Sequence, residues 1–272
     1  MKTFTRIFTD SLIVMAKSLL TPSIRIALAA LVTGIGTTTA FAQGPPPGVD
    51  AAAILRRSSA AMGCSVIGND TTIAVKGSLR FADGTTVMPV TIQSQGNHRW
   101  RSELETPKER KVTIVNDGKG QIQHADGRVN PLAEHNTAHQ RPMHIPCLTN
   151  LALPPSLIDA TYLRLETSGA ESFDVIELLP SGRPKQKQVA ELMKTTVWIS
   201  RSTGYLTKLQ YSNGAEQDSN DVQPVAIDYS DYRMVNGLAV PFHQISHAGN
   251  TLLDLRFDSV QLNTVAADFN LR

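Results

Sequence analysis

The sequence predicts a mainly β, α+β protein: one long antiparallel sheet, an N-terminal helix and a proline-rich helical insertion. Three observations carry this. Apolar and polar residues alternate with a period of two in stretch after stretch from Ile73 to Leu262, the period at which strand side chains change faces. Turn dipeptides punctuate those stretches, among them Asp83-Gly84, Asp117-Gly118, Asp126-Gly127 and Asn236-Gly237. From 130 to 159 the rhythm breaks around Pro131, Pro142, Pro146, Pro154 and Pro155, as a lid-like insertion between two strand blocks would make it do.

The first 42 residues read as a secretory signal. Arg25 precedes the apolar run Ile26–Ala42, which ends in Ala40-Phe41-Ala42, an A-x-A cleavage site after an h-region too short for a membrane span. A start at Met15, with Lys17 and Arg25 ahead of the apolar run, gives a leader of the usual length. The reading is therefore a periplasmic or secreted protein with no membrane span after cleavage. Of the 26 basic and 24 acidic residues, the leader holds four (Lys2, Arg6, Lys17, Arg25) and one (Asp10), which leaves a net charge of −1. That balance gives no electrostatic case for nucleic acid, which needs clustered cations. Residues 43–49 form a Pro-rich leader, and 50–272 a single domain large enough for one core.

Within that domain, Asp50 caps a helix over about 50–62, with Ile54, Leu55 and Met62 at helical spacing and Gly63 as its stop. Cys64 follows directly. In an oxidising compartment the even pair Cys64 and Cys147 reads as one disulfide, with two buried thiols as the alternative. Strands then follow around 73–81, 88–92, 98–104, 112–114 and 121–123, and after the insertion at 160–166, 171–179, 195–201, 205–211, 224–234, 238–247 and 250–262. That makes eleven or twelve, and a sheet of that many strands has to curl or close. The loops 180–188 and 212–223 read as exposed, polar segments. Pro241 cannot donate to a ladder, so its strand is expected at an edge, bulged or unpaired there.

Three segments resemble the LolA-like superfamily of periplasmic lipoprotein carriers and their relatives. They are TVWISRSTGYLTKLQY (196–211), the hairpin IDYSDYRMVNGLAVPFHQISH (227–247) and the ending VQLNTVAADFNL (260–271). The resemblance implies an incomplete β-barrel of about 11 strands with helices over its mouth and an apolar interior that receives acyl chains. It also implies an arginine on an early strand that holds the lid, for which Arg80, Arg99 and Arg101 are candidates. The lipidated cysteine of the superfamily's lipoprotein members has no counterpart here.

The function expected on these grounds is binding and trafficking of a hydrophobic ligand, a lipid or lipoprotein, with an envelope protein as a further partner. An envelope sensor or structural protein of the same fold is the alternative, and a hydrolase is a third. Trp100, Trp198 and Phe257 are the expected ligand-lining residues. Trp100 and Phe257 sit among polar strand neighbours, whereas the face of Trp198 is ambiguous between Val197 and Ile199. No nucleophile–base motif, phosphate loop or zinc spacing appears, so no catalytic residue, metal or cofactor is expected. His135, His139 and His144 read as loop histidines, His243 and His247 as surface strand residues, and Arg183, Lys185 and Lys187 as a solvated loop.

Overall fold

The computed structural model describes residues 48–81, 86–105, 109–132, 143–149, 151, 154–181, 192–215, 218–249 and 251–271. The leader 1–42, Asp83-Gly84, His135, His139 and residues 182–188 of the expected 180–188 loop lie outside the described residues.

Among the described residues thirteen strands form one sheet: β1 (Thr72–Phe81), β2 (Val87–Gln95), β3 (Arg99–Glu105), β4 (Arg110–Asn116), β5 (Lys119–His124), β6 (Val129–Pro131), β7 (Ile158–Ser168), β8 (Glu171–Pro180), β9 (Thr195–Ser200), β10 (Leu206–Ala215), β11 (Asp218–Val235), β12 (Leu238–Ala248) and β13 (Thr251–Leu262). Their order is β6-β5-β4-β3-β2-β1-β13-β12-β11-β10-β9-β8-β7. Every neighbour pair is antiparallel, so two meanders are joined where the first strand meets the last. The sheet is an unclosed, incomplete barrel: β6 and β7 end it without meeting. In the sequence, residues 132–157 lie between these two edge strands.

Two strand expectations change. β6 is an added strand of three residues, too short to show alternation, and lies where the insertion was expected to begin. The polar stretch expected as loop at 212–223 is largely hairpin, with Ser212 paired to Pro224 and Gly214 to Val222.

One face of the sheet holds the main core. Val75, Leu79, Val90, Ile92, Leu104, Ile176, Val197, Leu209, Ile227, Leu255 and Phe257 all bury into it. This inner face is covered by the helix α1 (Ala51–Ala61) and by the insertion. α1 is capped by the Asp50 carboxylate, which accepts from the Ala53 N–H at 3.1 Å; it buries Ala51, Ile54, Leu55 and Ser58. The insertion contributes Met143, Ile145, Leu148 and Leu151, and its described residues include the 3₁₀ turns Pro146–Leu148 and Pro155–Leu157. On the outer face, Val112 and Ile114 of β4 are covered by the returning C-terminal tail through Phe269.

Pro241 shows why a proline survives in an interior strand. β12 pairs with β13 only from His243 onward, so Leu238–Phe242 lack a ladder on that side. The Ala239 N–H donates instead to the Met62 carbonyl at the end of α1, 2.9 Å away. N–H groups two residues apart point the same way, so the N–H that Pro241 lacks would have faced this ladder-free side. Asn236 and Gly237, at φ 49° and 85°, make the hairpin turn that the Asn-Gly pair predicts.

Candidate functional site

A groove of about 780 Å³ opens where α1, the insertion and edge strand β7 meet. Leu55, Leu151, Ile158, Ala160 and Tyr162 supply its apolar wall, with Arg56 among the polar lining residues. The geometry follows from strand alternation: Ile158, Ala160 and Tyr162 are successive inner-face positions of β7. As β7 has no strand beyond it, this apolar row meets the helix across a gap.

α1 is fixed at its C-terminal end and near its middle by different means. At its C-terminal end Cys64 and Cys147 form a disulfide, with Cα atoms 5.1 Å apart. Gly63 packs so closely on the hairpin turn that a Cβ there would lie 1.9 Å from the Gly237 carbonyl oxygen. Further up the helix, Arg57 Nη2 reaches Asp174 Oδ2 at 3.0 Å. Asp174 is only 2% exposed, an inner-face position of β8 opposite Ile199. Arg201 Nε approaches its other oxygen at 3.6 Å, and the Tyr162 hydroxyl donates to it at 3.4 Å. Burial, the Asp174 charge and this hydrogen bond together push the Tyr162 phenol up, against a smaller opposing effect of Arg201.

The arginine that holds the helix is therefore on the helix itself, and its carboxylate partner is on the sheet. Arg99 and Arg101 of β3 face outward, where Arg99 pairs with Asp117 at 3.3 Å and Arg101 with Glu103 at 2.7 Å. Arg80 sits opposite Asp254, again on the outer face. None of the three reaches α1. The sequence signal for Asp174 was weak, one of three acids in ESFDVIELL and the one that shares a strand face with Ile176 and Leu178, but an acid on the apolar face of a strand is a residue in search of a cation.

The insertion is pinned to the inner face by polar contacts. Gln244 donates through Nε2 to the His144 carbonyl at 2.8 Å and meets His144 Nδ1 through Oε1 at 3.1 Å. The Tyr229 hydroxyl donates to the Met143 carbonyl at 2.7 Å. Burial lowers His144 to about 4, against the opposing effect of the Gln244 bond, so the imidazole is neutral at physiological pH.

The three expected lining residues occupy three environments. Phe257 is in the main core, edge-on to Phe242 at 6.3 Å between ring centroids. Trp100 faces inward in a separate cluster with Val115, Ile122 and Leu132. Trp198 lies on the outer face in a recess of about 280 Å³ with Arg164, Lys194 and Gln210. Its indole donates to Glu166 at 3.1 Å, and the Lys208 ammonium sits 5.0 Å from its ring.

A polar chain that no sequence motif announced crosses three neighbouring strands of the outer face. Ser230 Oγ is 3.1 Å from His243 Nδ1, and His243 Nε2 is 3.0 Å from Asp254 Oδ1. Burial raises the Asp254 carboxyl, but Arg256 and His243 outweigh this and hold it below its ordinary value. The Ser230 hydroxyl also reaches the His243 carbonyl at 3.3 Å, and neither the groove nor the Trp198 recess touches the chain. Strand pairing alone generates it, since Ser230 and His243 are directly opposed. Among the described residues no group of three or more His, Cys, Asp or Glu is placed to hold a metal ion. No helix among them is long and apolar enough to cross a membrane.

Neither a family model nor a curated protein matches the sequence. Solved structures do match the fold. A domain assigned to outer-membrane lipoprotein sorting from Vibrio parahaemolyticus aligns with 80% of this chain and 94% of its own, at TM-score 0.54 and 10% identity. A LolA superfamily protein from Nitrosomonas europaea aligns with 80% of this chain and 96% of its own, at TM-score 0.52 and 14% identity. A domain-of-unknown-function family protein from Desulfovibrio piger aligns with 81% and 97%, at TM-score 0.52 and 10% identity. At such identities the likeness shows the fold alone: the chain shares the fold of these structures.

Proposed function

We propose that the chain is a bacterial envelope protein that holds a hydrophobic ligand, a lipid acyl chain or an acylated protein, between α1 and the inner face of the sheet, without catalysis. The groove beside β7 is the observation that carries this reading. Its 780 Å³ falls within the range of small-molecule sites, and its apolar wall is continuous with the core. An acyl chain of about sixteen carbons gains about 0.8 kcal/mol per methylene buried, roughly 10 kcal/mol before ordering costs. The likeness to a lipoprotein-sorting domain and the expected signal over residues 1–42 support placement in the periplasm, with another envelope protein as the giver or receiver of the ligand. Phe257 and Trp100, on the same face as the groove wall, are proposed to touch a ligand that reaches further in.

The test is a groove filled by a side chain. Ala160→Trp adds bulk at a half-buried position on the groove wall without burying charge. The variant is expected to keep its melting temperature and to bind a fluorescent fatty acid at least tenfold more weakly than the parent. Equal binding by a folded variant excludes the groove. Native mass spectrometry of periplasmic material adds a second readout: a co-purifying lipid supports a carrier, and a clean apo mass supports a sensor of the same fold.

A further inference from the structure

The inner face carries a second chemical signal, far along the sheet from β7. Ser94 of β2 and Trp100 of β3 are directly opposed. Thr113 of β4 lies diagonal to Trp100 on the same face, opposite Ser102. Ser94 is 2% exposed, Trp100 6% and Thr113 1%. Among the described residues, the Ser94 hydroxyl, the Trp100 indole N–H and the Thr113 hydroxyl have no hydrogen-bond partner. Buried polar groups are nearly always paired, and an unpaired one costs about 1–3 kcal/mol. All three lie on one patch of one face, bordered by Val115, Ile122 and Leu132.

The chemistry of the three groups selects what would satisfy them. An indole nitrogen donates and cannot accept, while both hydroxyls are able to donate. A methylene chain offers nothing to any of them. An oxygen with free lone pairs, as in a carboxylate, an ester carbonyl or a phosphate, answers all three.

We propose that Ser94, Trp100 and Thr113 form a subsite for the acceptor oxygens of the ligand, so that the protein selects oxygen-bearing lipids over plain hydrocarbon. This rests on the reading that the inner face takes a hydrophobic ligand, and it adds the polar end of that ligand to the description. The diagonal position of Thr113 sets it roughly 7 Å from Trp100 between Cα atoms. A carboxyl or ester group can therefore bridge the two strands. Lys111 and His124 continue the same face at the next positions of β4 and β5; the Lys111 ammonium is 3.6 Å from Glu109 and His124 Nδ1 is 2.5 Å from it. That local charge pairing leaves neutral hydrogen bonding as the main selector at the subsite.

The chain has two tryptophans, which makes a site-specific experiment possible. Trp198→Phe leaves Trp100 as the sole indole. Its emission is titrated with a brominated stearic acid, its methyl ester, a brominated lysophospholipid and a bromoalkane of equal length, since bromine quenches an indole only on contact. The expected result is saturable quenching by oxygen-bearing ligands, at midpoints at least fivefold below that of the bromoalkane. Which of the three quenches best identifies the source of the oxygen. Adding Ser94→Ala with Thr113→Val is expected to raise the oxygen-bearing midpoints three- to tenfold, the loss of one or two net hydrogen bonds, and to leave the bromoalkane midpoint within twofold. Equal midpoints for all ligands overturn the subsite and leave a plain apolar core. Midpoints insensitive to the double substitution show a site filled by structural water only, and also overturn it. Absence of quenching in a protein that still binds fatty acid at the groove removes the subsite alone, whereas loss of both removes the ligand-binding reading itself.

Discussion

Replacing His144 tests whether the insertion is clamped to the sheet by a neutral imidazole. The folded ring ionises near 4, against about 6.5 for an unperturbed histidine. As pH falls below 6.5 the unfolded chain takes up a proton that the folded chain refuses, so stability is present above that value and is lost towards pH 4. Between pH 7.5 and 4.5 the linkage relation gives a loss of about 2.5 kcal/mol from this one group. The ring keeps some contact with solvent, so this is a ceiling. His144→Asn removes the titration and retains an amide able to meet the Gln244 oxygen. The assay is urea unfolding of both proteins at the two pH values. Carboxylates and the other histidines titrate in both and cancel in the comparison. The parent is expected to lose up to roughly 1 M more of its urea midpoint than the variant, for a slope of about 2.5 kcal/mol per molar. Equal losses would refute the reasoning, because they would mean that the ring is as free to ionise when folded as when unfolded.

Two further outcomes test how the inner and outer faces divide the labour. Reducing or removing the Cys64–Cys147 bridge opens a loop with a sequence separation of 83 and is expected to cost about 4.5 kcal/mol in the chain-entropy picture; calorimetry of Cys64→Ser checks this, and a stability unchanged from the oxidised parent argues against the bridge. Phe269→Ala uncovers Val112 and Ile114 on the outer face and is expected to lower stability by about 3–5 kcal/mol, while fatty-acid binding by the folded fraction stays within twofold of the parent.

The strands and turns were legible because their causes are local. Alternation from Ile73 to Leu262 fixes which residues share a face, and Asn236-Gly237 fixes a hairpin by its φ values. The capped helix was legible for the same reason, through Asp50 and Gly63. Elements whose cause is distant were not. β6 exists because β5 offers its edge, and Val129–Pro131 contain no pattern of their own. The polar residues of 212–223 pair because the β10–β11 hairpin continues through them, although their composition reads as loop. Trp198 shows the limit of period counting most directly. Val197, Trp198 and Ile199 are all apolar, and only the pairing of Val197 with Leu209 and Ile176 turns the tryptophan outward.

The same distinction explains where the helix latch was sought and where it is. A resemblance transfers a role, an arginine that holds the lid, but the role needs only a cation and an anion facing each other across the helix–sheet boundary. Either partner can stand on either element. With Arg80, Arg99 and Arg101 at outer-face positions, the strand alternation that makes this sheet amphipathic excludes all three before any side chain is placed. What remains is a carboxylate on the inner face, and Asp174 occupies that position. Burying it alone would cost several kcal/mol, so a cation is obligatory above it, and Arg57 on α1 supplies one. The arrangement also gives two parts of the helix different strengths. The Gly63–Cys64 end is held by a covalent bond and a backbone hydrogen bond, whereas the middle of the helix depends on a half-exposed arginine. An opening of the groove would break that weaker contact and pivot on the disulfide.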